Sequence, residues 1–149
     1  MANVVPYSFG TELFSGTHNF SSGGNTFKLA LYTANPYTVS STAYSSGAAN
    51  QVSSAGGSNY TTGGNTLTSQ AVANQNNVAT VDFADTSWSS ATFTAAFGVI
   101  YNNTQSDKLV VILDFGGSKS ASNGTFTISF PDPASGTPAG SDAIISLTS

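Results

Sequence analysis

The run KLVVILDF, residues 108–115, constrains this chain more than any other feature. Leu109, Val111, Leu113 and Phe115 share one strand parity and Val110, Ile112 and Asp114 the other, so a strand here needs dry surroundings on both faces. Residues 91–101 supply a partner. Ala91, Phe93, Ala95, Phe97, Val99 and Tyr101 fall on one parity, while the other changes from Thr92 and Thr94 to Gly98 and Ile100. The link NNTQSD between them is polar and proline-free, which fits a hairpin loop better than a crossover. A central antiparallel hairpin is the predicted centre of the core.

The same alternation recurs elsewhere. Residues 26–33 (TFKLALYT) place Phe27, Leu29 and Leu31 inward and Lys28 outward, and residues 125–130 (TFTISF) do the same with Phe126, Ile128 and Phe130. Residues 66–72 and 77–83 read as two strands joined by 73–76, with Ala79, Val81 and Phe83 on the buried parity. DFADTSW (82–88) and GGSKSASNG (116–124) read as turns, with Asp85 placed to bond backbone amides and Trp88 as a lid on one end of the core. GGNT precedes a strand at Gly23 and again at Gly63, a turn signature. No helical period lasts longer than about two turns. The predicted class is all-β, an antiparallel β-sandwich or jelly-roll-like domain with extended N- and C-terminal arms.

These elements fit one domain: an N-terminal arm (1–25, with 12–14 as one helical turn), a β core (26–130) containing a long loop (34–65), and a Pro/Gly linker with a C-terminal strand (131–149). At 149 residues the chain is long enough to bury a real core. The loop is rich in Ser, Gly, Asn and Ala and carries Tyr37, Tyr44 and Tyr60. A loop this long is either functional or folded back on the core. With Trp88, these tyrosines are the candidate partner-contact residues.

Only 7% of the residues are charged, against about 25% in an average soluble protein. Three lysines and no arginine leave a formal net charge of −4, so no basic patch for nucleic acid can form. There is no cysteine, hence no disulfide, thiol nucleophile or thiolate metal site. The sequence shows no signal-like N-terminus and no apolar run near 18 residues, which predicts synthesis in the cytoplasm and no membrane segment.

A search for catalysis yields little. His18 is the single histidine and no G-x-S-x-G elbow accompanies it, so a polar side chain near the arm is the favoured reading over a triad. One histidine without cysteine does not make a zinc site. Asp82, Asp85, Asp107 and Asp132 lie beside turn residues, where backbone capping is the ordinary use of a carboxylate. Asp114 ends a run of buried aliphatics. Its favoured role is bonding to the amides of Gly116, Gly117 or Ser118, or pairing with Lys119; the rival role is a calcium ligand with Asp82 or Asp85. The sequons at Asn59 and Asn102 are expected by chance in so Asn- and Thr-rich a chain. No catalytic, cofactor-binding or metal residue is assigned.

Taken in order, GTHNF, TFKLALYT, YTTGGNTLT, VDFADTSWSSATFTAAFGVIYNN and LVVILDFGGSKSASNGTFTISFP resemble a family of small tailed-bacteriophage virion structural proteins of the head decoration, or cement, kind. The resemblance spans residues 17–131, and its most distinctive pieces are the FADxSW turn and the two strands after it. Members of that family often carry a basic residue near the position of Ala96. The resemblance implies a non-enzymatic virion protein, made in the host cytoplasm, that binds the major capsid protein or other virion proteins. The apolar ends, 4–14 and 143–147, predict arms that dock in a groove or on a strand edge, and a homo-oligomer, most simply a trimer. The alternative is a tail or spike module that binds host-surface glycans through Tyr37, Tyr44, Tyr60 or Trp88, with no membrane or nucleic-acid partner in either case.

Overall fold

The computed structural model describes residues 2–132 and 144–148. They form an all-β, sandwich-like fold of two antiparallel sheets with one short helix. The helix is α1 (Tyr7–Phe14), and the strands are β1 (Phe27–Tyr32), β2 (Asn65–Thr66), β3 (Ala71–Gln75), β4 (Val78–Asp82), β5 (Thr86–Asn102), β6 (Lys108–Ile128) and β7 (Ile145–Thr148). The larger sheet has the order β2-β1-β5-β6 and the smaller one β3-β4-β7.

The predicted central hairpin is β5 and β6, and the dry surroundings it needs are there: Leu109, Val110, Val111 and Ile112 are all buried. Fully burying such side chains is worth about 1.5–3 kcal/mol each. The strict parity expected for the run does not hold. Ile100 pairs with Val111 but Tyr101 with Leu109, so Val110 sits in a bulge. Leu109 therefore joins Ile112 on one face, while Val110 and Val111 join the other.

One face of the large sheet packs against the small sheet and α1 through an aromatic cluster. Phe20 stacks on Phe27 at 4.4 Å, and both meet Phe83 edge-on. The other face, with Ala30, Tyr32, Val99, Tyr101, Leu109 and Ile112, is covered by Tyr37, Tyr44 and Ala48 of the loop and by Val4. Cover that the sequence left to a loop, an arm or a neighbouring chain is thus supplied within the chain. The ends dock in the same way. Val4 exchanges two backbone hydrogen bonds with Ile112, both 2.8 Å, and β7 pairs with β4.

Four expectations change. The helix is two turns long rather than one. It runs from Tyr7, after Pro6 at its N-cap, and ends where Gly16, at φ 73°, lets the Gly16 and Thr17 amides bond back to Leu13 and Glu12. The β3–β4 turn is Asn76-Asn77, not 73–76, because two successive residues must take positive φ there (51° and 68°) and asparagine tolerates it. The glycines of 116–124 do not reverse the chain. Phe97 pairs with Asp114 and Ala95 with Lys119, so residues 115–118 loop out as a bulge with Gly116 and Gly117 at positive φ, and one strand continues to Ile128. Trp88 lies inside β5, buried among Tyr60, Phe93 and Phe126, rather than in a turn. The linker expected over 131–140 lies outside the described residues from 133 onward.

Candidate functional site

Of the four candidate contact residues, three are turned inward: Tyr37, Tyr60 and Trp88 are 8%, 3% and 4% exposed. Tyr44 stacks on Tyr101, ring centroids 4.2 Å apart. Exposed anchors are therefore corrected to core residues. Tyr37 and Tyr44 cover the sheet's second face, whereas Tyr60 and Trp88 pack into the aromatic cluster on the first, and a tyrosine can be buried once its hydroxyl has a partner. Gln51 is the hub: its carbonyl oxygen accepts from the hydroxyls of Tyr44 and Tyr60 and from the Gly63 amide, and its amide nitrogen donates to the Ser46 carbonyl. The Tyr60 hydroxyl in turn accepts from the Leu31 amide at 3.0 Å, and Tyr101 donates to the Gly63 carbonyl at 2.9 Å. Burial pushes the hydroxyls of Tyr32, Tyr44, Tyr60 and Tyr101 up, so all stay neutral hydrogen-bonding groups.

His18 belongs to a buried polar chain under α1. Its Nε2 lies 2.9 Å from Glu12 Oε2, and Asn102 Nδ2 donates to its Nδ1 at 3.0 Å. Asn102 cannot turn its amide round without loss, because its Oδ1 accepts from the Gln105 amide and its Nδ2 also donates to Asn25. Nδ1 must therefore be the acceptor and Nε2–H the donor, which makes the ring neutral. Burial pushes the imidazole below its ordinary value of 6.5, opposed by the Glu12 carboxylate. Burial pushes the Glu12 carboxyl up, but hydrogen bonds from Lys108 (2.7 Å) and His18 outweigh it and hold the carboxyl low. Both ring nitrogens are occupied and no serine is bonded to either. The cluster locks α1 to the β5–β6 hairpin and presents no nucleophile.

Two of the carboxylates cap backbone amides, whereas Asp107 accepts from the Asn103 side chain at 2.8 Å. Asp114 Oδ1 accepts from the Gly116 amide at 2.9 Å, the favoured reading, and Asp85 Oδ1 accepts from the Phe130 amide at 2.9 Å. Burial raises the Asp82 carboxyl, and Asp132 and Asp85 nearby add to it. Among the described residues no three or more His, Cys, Asp or Glu side chains are grouped so as to hold a metal ion. Asn102 is fully buried and Asn59 donates to the Ser89 carbonyl at 3.1 Å, so the sequons mark structural amides. No helix among the described residues is long and apolar enough to cross a membrane.

The surface feature that stands out is apolar. Tyr7 and Phe14 are 74% and 91% exposed, and Val72 and Leu147 of the small sheet are more than half exposed. Tyr7 and Phe14 lie seven residues apart, on one line of α1. The opposite side of α1, Phe9, Glu12 and Leu13, is packed inward. Between Leu13 and the small sheet runs a groove of about 410 Å³, walled by Val72, Ala79, Val81, Ile145 and Leu147, with Phe9 and Phe20 in its lining. The apolar content of 4–14 and 143–147 at the ends of the chain was the signal for this region, but which side chains would stay outside depends on a helix whose length the sequence did not reveal.

No family model, no curated protein and no solved structure matches the chain. Fold and site together define a class only: a two-sheet antiparallel β protein with a closed polar interior and an apolar face built on its helix.

Proposed function

We propose that this is a non-enzymatic structural protein of a tailed-bacteriophage virion, a decoration (cement) protein that binds and stabilises the head shell. Its partners are the major capsid protein or other virion proteins, and it works as a homo-oligomer, for which a trimer suits the three-fold positions of a capsid lattice. The observation that carries the reading is the anchored helix with its aromatic side chains outside. A buried network of Glu12, His18 and Asn102, closed by the half-buried Lys108, fixes α1, and Tyr7 and Phe14 are left free to contact a partner. Solvent-exposed aromatics on a rigid support are what binding surfaces concentrate. A nearly uncharged Ser/Thr/Asn surface and the resemblance over residues 17–131 point the same way. The glycan-binding alternative loses its stacking platforms, since Tyr37, Tyr60 and Trp88 are buried and Tyr44 is stacked on Tyr101.

Mass spectrometry of purified particles tests the reading: the chain is expected in the particle at hundreds of copies. Presence in infected-cell lysate but not in particles would overturn it, and a handful of copies would move the protein from head to tail.

A further inference from the structure

We infer that the apolar face formed by α1 and the small sheet is where a second copy of this chain docks, with Phe14 of one copy entering the groove beside Leu13 of the next. Knob and hole are adjacent on one surface. Around α1, Leu13 lines the groove, Gly10 and Phe14 follow on the outer side, and Tyr7 continues the line two turns back. A Cβ built on Gly10 would meet nothing within 4 Å, so this flank of the helix is open to an incoming surface.

Area and charge select the occupant. Tyr7, Phe14, Val72 and Leu147 together expose roughly 500 Å² of mostly apolar surface, taking whole aromatic side chains at about 150–250 Å². A standard interface takes about 800 Å² from each partner, some 60% of it apolar, so this face supplies the apolar part of one such interface. It is also free of charge. The one acidic residue of α1, Glu12, is turned inward and paired, the groove lining has no Lys, Arg, Asp or Glu, and its histidine is buried. An anionic membrane or a charged protein would find no complement here, whereas an equally uncharged apolar surface would. The chain itself carries one, at the same place.

This docking rests on the homo-oligomer part of the proposed function and needs no capsid, so it is tested on purified full-length protein without particles. Light scattering at tens of micromolar should give a mass above one chain. Phe14→Ser should weaken assembly at least about tenfold, with an unchanged circular dichroism spectrum. Because the chain has no cysteine, contact can be read directly. Phe14→Cys and Leu147→Cys proteins, mixed under mild oxidation, should give the mixed disulfide in preference to either self-linked product. A monomeric wild-type protein, or an oligomer that survives Phe14→Ser, overturns the inference while leaving the particle assignment to mass spectrometry. So does a monomer that takes up one equivalent of an apolar dye in the groove, which would give the groove to a small ligand.

Discussion

The loop 34–65 is mostly Ser, Thr, Gly, Asn and Ala and yet turns its tyrosines inward, whereas α1, with three aromatic side chains in two turns, leaves two of them in solvent. The difference lies in what each segment has to cover. The loop lies over a sheet face carrying Ala30, Tyr32, Val99 and Ile112, which Tyr37 and Tyr44 fill, the Tyr44 hydroxyl bonded to Gln51 and that of Tyr37 to Tyr32 and the Ser45 amide. The helix packs on the other cluster with Phe9 and Leu13 and turns Tyr7 and Phe14 outward. Burial here follows the demand of the sheet and not the hydropathy of the covering segment.

The largest expected effect would break the loop side of this contrast. Gly64 sits at φ 75°, and an added Cβ would overlap the Leu29 carbonyl oxygen and lie 2.8 Å from the Ala30 Cα. Gly64→Ala should cost at least about 3 kcal/mol and lower the thermal midpoint by roughly 10 °C. A shift of a degree or two would mean the loop is not clamped to β1. Gln51→Ala comes next, leaving the Tyr44 and Tyr60 hydroxyls and the Gly63 amide without their acceptor; about 1–3 kcal/mol should be lost in urea unfolding.

A pH series sharpens the picture of how α1 is held. The folded imidazole of His18 titrates below its ordinary value, so below about pH 6.5 the unfolded chain binds the extra proton first. Its contribution is complete above that value and is lost as the pH falls through the folded one, where Nδ1–H would face the Asn102 amide donor. About 1 kcal/mol, the worth of that hydrogen bond, is at stake. The depressed Glu12 carboxyl adds a second loss at lower pH, again in the acid direction. In His18→Phe the first step of the stability profile should vanish; a profile that keeps it would assign the step to another group.

Gly10→Ala, at an open helical position, should stabilise by roughly 0.5–1 kcal/mol. Smallest of all, Phe14→Ser should leave the unfolding midpoint of the dilute protein within about 0.5 kcal/mol, since the side chain is 91% exposed. A large loss there would mean that Phe14 is part of the fold and not of a surface.

The strands β1, β5 and β6 were readable from their apolar runs around Phe27, Leu29, Leu31 and Val111, although β1, expected to be half-buried, is buried on both faces because Ala30 and Tyr32 lie under the loop. Bulges were not. The slip at Val110 depends on register against β5, a non-local fact, and the glycines at 116 and 117 look identical whether the chain turns back or merely loops out. At the site, the apolar ends were legible as docking segments, and both dock. The inward turn of Tyr37 and Tyr60 was not, because a tyrosine anchors a foreign surface and its own sheet by the same chemistry. His18 could be set aside as a catalyst from its solitude in the sequence. Its partners Glu12 and Asn102, 6 and 84 residues away, came only with the fold.

The bulge at residues 115–118 bears on how such a protein stays dispersed at high local density. β6 is a 21-residue strand without proline at the margin of its sheet, and an unbroken strand of that kind invites cross-β growth. Val4 and Thr42 bond its first third, at Ile112 and Leu109. The remainder is interrupted by Gly116 and Gly117 and again near Asn123, at φ 50°, with Lys119 placed between. Each irregularity twists the strand and shortens the length that could template another chain, so fibril formation is opposed by backbone shape where proline would otherwise be needed.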